Sequence, residues 1–260
     1  MNLLSWGVEA LERGLVPDPL ARLAIRRLCG ERLHDREYRD DATRAATLAR
    51  FAESMSAGPI APVPDKANEQ HYELPPEFFD AVLGPRRKYS CCFWPAETST
   101  LAEAEEAALR ITCERADLAD GQDVLELGCG WGSLSLWMAE RYPRSRITAV
   151  SNSAPQRRFI AAEAAARGCH NLRVVTADMN DFTPGDGRFD RVVSVEMFEH
   201  MRNYERLLER IAGWLRPYGK LFIHLFCHRC LAYPYETEGA ANWMGRYFFT
   251  GGIMPSADLL

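Results

Sequence analysis

From Asp123 to Gly132 the chain reads Asp-Val-Leu-Glu-Leu-Gly-Cys-Gly-Trp-Gly, a short apolar strand running into glycines at 128, 130 and 132. A helix-like stretch, Ser133 to Arg141, follows at once. Glycines in such a turn let the backbone approach a ligand, and the first N–H groups of the helix face it. The same alternation continues. Strands are expected at Val124–Leu127, Ile147–Val150, Leu172–Thr176 and Val192–Val195, with helices at Leu101–Leu118, Ser133–Arg141, Pro155–Arg167 and Tyr204–Leu215. A fifth strand, Lys220–Phe226, is expected after a helix stop at Pro217 and Gly219. Single helices between strands imply right-handed crossovers, so the expected fold is α/β with a doubly wound, mostly parallel sheet.

The turn alone admits three occupants: a dinucleotide, another nucleotide-like ligand, or nothing beyond a buried strand turning tightly. A dinucleotide fingerprint needs Gly-x-Gly-x-x-Gly and an acid about 20 residues later. Here Ser133 holds the third glycine position, and no Asp or Glu lies between Arg141 and Ala162. After the second strand, Ser151 and Gln156 offer a hydroxyl and an amide where the acid would hold a ribose; ordinary helix capping accounts for them equally well. Asp178 and Met179, after the third strand, are placed to bracket a base.

The remainder reads as two regions. Residues 1–64 form a helical cap, rich in Ala, Leu, Arg and Glu, that ends in the proline-rich linker Gly58–Pro64; residues 65–260 form the core. Hydrophobic residues make up 47% of the chain, enough for a full core. The net charge of −5 argues against a nucleic-acid partner bound through a general basic field. Eight scattered cysteines suit reduced thiols and a cytoplasmic compartment. The N-terminus lacks the basic start of a signal peptide, and no apolar run approaches the ~20 residues of a membrane span.

Four segments in order, Tyr89-Ser-Cys-Cys-Phe-Trp94, Gly128-Cys-Gly-Trp-Gly-Ser133, Val195-Glu-Met-Phe-Glu-His-Met201 and Arg246-Tyr-Phe-Phe-Thr-Gly-Gly-Ile-Met-Pro-Ser256, resemble the cyclopropane-fatty-acid-synthase superfamily, and within it the coclaurine N-methyltransferase-like branch. The resemblance spans His71 to Leu260. It implies a Rossmann-like class I methyltransferase core with a helical cap and S-adenosyl-L-methionine as cofactor. With the turn, it makes Tyr89, Ser90, Gly128, Gly130, Ser151, Gln156, Asp178 and Met179 the cofactor-binding candidates.

Glu196, Glu199 and His200 follow the fourth strand, at the sheet edge where open α/β folds place chemistry. If the segment coils helically, they share one face. Carboxylates would attract a cationic amine and His200, with an ordinary pKa of ~6.5, would take its proton, which is the role the resemblance implies for this trio. A solvated helix start with a structural histidine is the plain alternative. N-methylation of a small aromatic or alkaloid-like amine is the favoured activity. The alternative is a cyclopropane synthase acting on unsaturated lipid, with peripheral membrane contact in that case only; Cys91, Glu199 and His224 resemble that branch's bicarbonate ligands. Glu196, generally glycine in the lipid enzymes, tips the choice. Cys227-His-Arg-Cys230 has zinc-like spacing but no second pair, so no metal site is expected. Tyr233, Tyr235, Trp243, Tyr247, Phe248 and Phe249 would wall an aromatic pocket or fill a core. Class I sheets usually finish with an antiparallel pair after the fifth strand, so a chain stopping at Leu260 is expected to be a fragment, with an inactive cofactor-binding protein as the second alternative.

Overall fold

In the computed structural model, which describes residues 3–34, 40–239 and 242–260, the chain resolves into two compact units, 1–57 with 227–260, and 58–226. This division differs from the 1–64 and 65–260 suggested by composition. The proline-rich stretch groups with the second unit because its backbone is docked. Both the N–H and the carbonyl of Ala61 bond the Asn180 side chain, at 3.0 and 2.9 Å, and Ile60 is fully buried.

The first unit carries α1 (Leu3–Glu12), α2 (Asp18–Leu33) and α3 (Asp41–Met55), the last capped by Asp40 accepting from the Thr43 N–H. It also holds α10 (Trp243–Tyr247) and an antiparallel pair, β6 (Tyr233–Pro234) with β7 (Ile253–Met254). The aromatic group expected to wall a pocket or fill a core packs partly on itself here, with Tyr235 and Phe249 ring centroids 5.2 Å apart.

In the second unit, α4 (Pro64–Ala67), a π-helical turn (Asn68–Tyr72) and α5 (Pro76–Val82) lead to α6 (Leu101–Arg115). A reciprocal capping box between Thr100 and Glu103 fixes the start of α6. The sheet follows: β1 (Asp123–Leu127), α7 (Ser133–Arg141), β2 (Arg146–Ser151), α8 (Ala154–Ala166), β3 (Leu172–Thr176), β4 (Phe189–Val195), α9 (Tyr204–Trp214) and β5 (Leu215–His224). Strand order is β3-β2-β1-β4-β5 and every pairing is parallel, as the alternating pattern requires. All five residues of β1 are buried. Val124, Ile147 and Val193 pack with Leu134, Trp137 and Met138 of α7 and with Leu109 and Cys113 of α6.

One boundary differs from expectation. Pro217 and Gly219 do not separate a helix from a strand beginning at Lys220; β5 starts at Leu215, opposite Phe189. The register slips between Phe189 and Arg191, and Tyr218 takes φ +65°. A bulge of this kind accommodates a proline that has no N–H for the ladder.

Candidate active site

At the carboxyl end of β1, Gly128 adopts φ +78° and both its N–H and that of Cys129 donate to the Val150 carbonyl, each at 3.0 Å. A Cβ at Gly128 would lie 2.8 Å from Met197 Cβ, so the turn is pressed against the loop after β4 and only glycine fits. Gly130, at φ +51°, faces open space instead. Two buried polar atoms here, Ser133 Oγ and Trp131 Nε1, have no hydrogen-bond partner among the described residues. Orphaned polar atoms beside an open backbone turn suit a polar ligand. Beneath the turn, Glu126 is buried and accepts from Ser135 Oγ, and desolvation pushes its carboxyl up to about 7.

The end of β2 is knit into one polar corner. Ser151 Oγ donates to Gln156 Oε1 at 2.7 Å and accepts from the Ser153 N–H, while Ser153, not Ser151, caps α8. Ser151 and Gln156 are both buried, so a solvated helix face does not describe them. Ser153 Oγ also donates to Glu73 Oε1 at 2.7 Å. An acid therefore does reach this corner, from a segment 80 residues earlier in the chain.

After β3, Asp178 Oδ1 accepts from the Asn180 N–H and Met179 is buried. Arg210 of α9 holds this loop in shape, donating to the carbonyls of Met179 (2.8 Å), Asn180 (2.9 Å) and Phe182.

Tyr89 and Ser90 are set by a second buried network. Glu105, fully buried on α6, accepts the backbone N–H groups of Gly84, Arg86 and Lys88 at 3.1, 2.8 and 3.0 Å. Lys88, itself buried, donates Nζ to Ser90 Oγ and to the Cys91 carbonyl. Burial lowers the Lys88 pKa, partly offset by Cys91, Cys92, Glu196 and Glu105. Tyr89 stands edge-on to both Tyr72 and Phe79.

The three titratable residues lie in the loop between β4 and α9, whose start Asn203 caps by accepting from the Arg206 N–H, and the one helical face that full coiling would give them does not form. Glu196 has φ +53° and its N–H donates to the His224 carbonyl at 2.7 Å; only Phe198–His200 coil, as a single 3-10 turn. The three side chains accordingly have different partners. Glu199 is fully buried, with Oε1 accepting from the Phe226 N–H at 2.7 Å and Oε2 unpaired among the described residues. Desolvation, reinforced by the Glu196 charge, pushes its carboxyl up to about 8. His200 Nε2 lies 3.2 Å from the Tyr72 hydroxyl. Burial, reinforced by Glu199, Tyr89 and Glu196, raises the Tyr72 pKa and keeps that phenol protonated.

Glu196, not Glu199, is the carboxylate beside Cys91 and His224, their ligand atoms lying within 4.8 Å of one another. Of the three residues that resemble bicarbonate ligands, Cys91 and His224 lie in this group, whereas Glu199 Oε1 accepts from the Phe226 N–H. Tyr72, Glu73, Lys88 and Glu105 are site residues that the sequence did not announce. Tyr72 and Glu73 stood in plain view in His71-Tyr-Glu-Leu-Pro-Pro, yet nothing local links them to positions 200 and 153.

No described helix is long and apolar enough to cross a membrane. The family model for mycolic acid cyclopropane synthetase matches residues 63–260. An (S)-coclaurine N-methyltransferase of Thalictrum flavum subsp. glaucum is 40% identical over 253 residues, 96% of this chain and 70% of that one. The crystal structure of a coclaurine N-methyltransferase bound to N-methylheliamine and SAH superposes with a TM-score of 0.93 at 36% identity, covering 99% of this chain and 75% of that one. A cyclopropane-fatty-acyl-phospholipid synthase of Escherichia coli (strain K12) is 33% identical over 191 residues, 72% of this chain and 46% of the synthase.

Proposed function

The chain belongs to the mycolic acid cyclopropane synthetase family and is an S-adenosylmethionine-dependent methyltransferase, and from that footing we propose that it methylates the nitrogen of a small aromatic, alkaloid-like amine. The observation that carries this reading is Glu196, a carboxylate held at φ +53° where the backbone alone would favour glycine. A strained residue at the carboxyl end of a sheet is retained when its side chain is needed there, and an anion serves a cationic amine, not an alkene. Similarity to the two N-methyltransferases, broader in coverage than to the lipid synthase, points the same way.

S-adenosylmethionine, when bound, supplies an electrophilic methyl group on a positively charged sulfur. Tyr89, Ser90, Gly128, Gly130, Ser151, Gln156, Asp178 and Met179 would hold it, and we add Glu73, whose carboxylate meets Ser153 in the same corner. An amine substrate arrives as an ammonium and must lose a proton before its lone pair can attack. Glu196 receives the cation. Glu199, kept protonated near neutrality by burial, adds no second negative charge until a cation beside it favours ionisation. His200, whose Nε2 is 3.2 Å from the Tyr72 hydroxyl, takes the proton. Cysteine usage supports placing the protein in the cytoplasm.

Grouping of Cys91 and His224 with a carboxylate favours one other reading, lipid cyclopropanation. The test supplies S-adenosylmethionine carrying a deuterated methyl to a panel of aromatic amines and to vesicles of unsaturated phospholipid. N-methylation retains every methyl deuterium and cyclopropanation loses one. Amine product is expected; lipid product without amine product overturns the reading, and cofactor binding without either product supports an inactive cofactor-binding protein. In the same assay Glu199→Gln and His200→Ala should lower turnover more than cofactor affinity, and equal losses would assign both residues to the cofactor pocket.

A further inference from the structure

We infer that Cys91, Glu196 and His224 form a binding site for one thiophilic divalent cation of the zinc class, and that this ion blocks the anchor used by the amine. The three ligands come from three separate segments, 105 and 28 residues apart along the chain, so no sequence spacing announces them. Around tetrahedral zinc, bonds of roughly 2.3 Å to sulfur and 2.0–2.2 Å to nitrogen and oxygen put ligand atoms about 3.3–3.7 Å apart. Here Cys91 Sγ and His224 Nε2 are 3.8 Å apart, and all three ligand atoms fall within 4.8 Å. Closing on an ion therefore requires movements of about 1 Å or less.

The backbone carrying these ligands is already fixed. Val195 pairs with His224 across β4 and β5, and the Glu196 N–H donates to the His224 carbonyl. The Cys91 carbonyl is held by Lys88 Nζ at 2.8 Å. Thiolate with imidazole selects zinc or cadmium over magnesium or calcium. On binding, Cys91 releases its S–H proton to solvent, so thiolate and carboxylate offset the two positive charges of the ion, while Lys88 nearby works against it. A fourth position is left for water. The blocking half of the inference rests on Glu196 being the amine's anchor; the binding half does not.

Zinc chloride titrated into the full chain by calorimetry, with cadmium as a spectroscopic probe, tests it. One ion per chain is expected, with a thiolate-to-cadmium charge-transfer band. Cys91→Ser should abolish the band, whereas Cys227→Ser with Cys230→Ser should keep it; the reverse pattern overturns the site. His224→Gln should weaken zinc by about tenfold or more, since outer-shell losses already cost 10- to 100-fold; unchanged affinity overturns the three-ligand geometry. Binding of S-adenosylhomocysteine by each variant shows that it is folded. Zinc should inhibit amine methylation competitively with the amine and reversibly by chelator. Cys91-dependent zinc binding without such competition overturns the blocking half and, with it, the reading of Glu196 as the amine's anchor, while the cation site stands.

Discussion

Glu196 combines a conformational cost with a chemical task, and the two separate by substitution. An L-residue in the left-handed region costs about 1–2 kcal/mol, and replacing it with glycine costs about 0.4–1 kcal/mol through the freer unfolded chain. Glu196→Gly should therefore be as stable as the parent or up to about 1.6 kcal/mol more stable in urea unfolding. Amine kcat/KM should fall about tenfold or more, the equivalent of at least ~1.4 kcal/mol. A variant that loses stability and activity together would show the residue to be structural. At this scale the sequence was informative about identity and silent about partners. Glu196, Glu199 and His200 are legible as a group after the fourth strand, sharing one face only if the segment coils. What parts them is the positive φ at Glu196 and the inward turn of Glu199 to Phe226, neither of which is written in residue spacing. The Tyr72–His200 contact joins residues 128 apart, beyond the reach of any local pattern.

Among elements, the loops that carry the candidate cofactor residues are shaped from behind by buried polar side chains on helices. Glu105 of α6 gathers three backbone N–H groups, and a Cβ at Gly84 would come within 2.5 Å of its carboxylate, so a side chain at position 84 would push that carboxylate off its donors. Glu105→Gln puts an NH2 against at least one of those N–H donors. It should destabilise by about 1–3 kcal/mol, the cost of a buried unpaired donor. Through Lys88 and Ser90 it should also weaken S-adenosylhomocysteine binding, read by calorimetry, more than it changes amine KM. Arg210→Gln on α9 removes the clamp on the Met179, Asn180 and Phe182 carbonyls and should act on cofactor affinity in the same direction; unaltered affinity would detach the 178–182 loop from the cofactor. Helices and strands with strong periodicity were legible, α7 to its exact bounds, because their signals lie within a dozen residues. The start of β5 was misplaced because Pro217 and Gly219 mimic a helix stop, while the pairing of Leu215 with Phe189 that overrides them is a tertiary contact.

For the molecule as a whole, the parallel sheet was legible from its alternation, and the grouping of residues 227–260 with the N-terminal helices was not, since it follows from packing between chain ends. Another global property follows from burial alone. Glu126 and Glu199 keep their protons in the fold up to about 7 and about 8, against 4.5 when unfolded. The folded state thus binds more protons than the unfolded state across that interval. Stability from these two groups is fully present below pH 4.5 and is lost as pH rises through 7 and 8. Asp117, Asp120 and Asp190 act oppositely. Arg191 and Lys220 hold Asp117 low, Arg144 holds Asp120 low, and the Asp123 N–H with Arg216 holds Asp190 low against its partial desolvation, so their contribution is lost only as acid protonates them. Chemical unfolding followed from mildly acidic to alkaline pH should accordingly show stability falling toward pH 8. Glu199→Gln keeps an acceptor for the Phe226 N–H but has no proton to lose. It should gain on the parent steadily from pH 4.5 to 8 and run parallel above that, with Glu126→Gln levelling off near pH 7. Curves parallel to the parent throughout would mean that both carboxyls are ionised in the fold, and Glu199 would then face an incoming amine as a second negative charge.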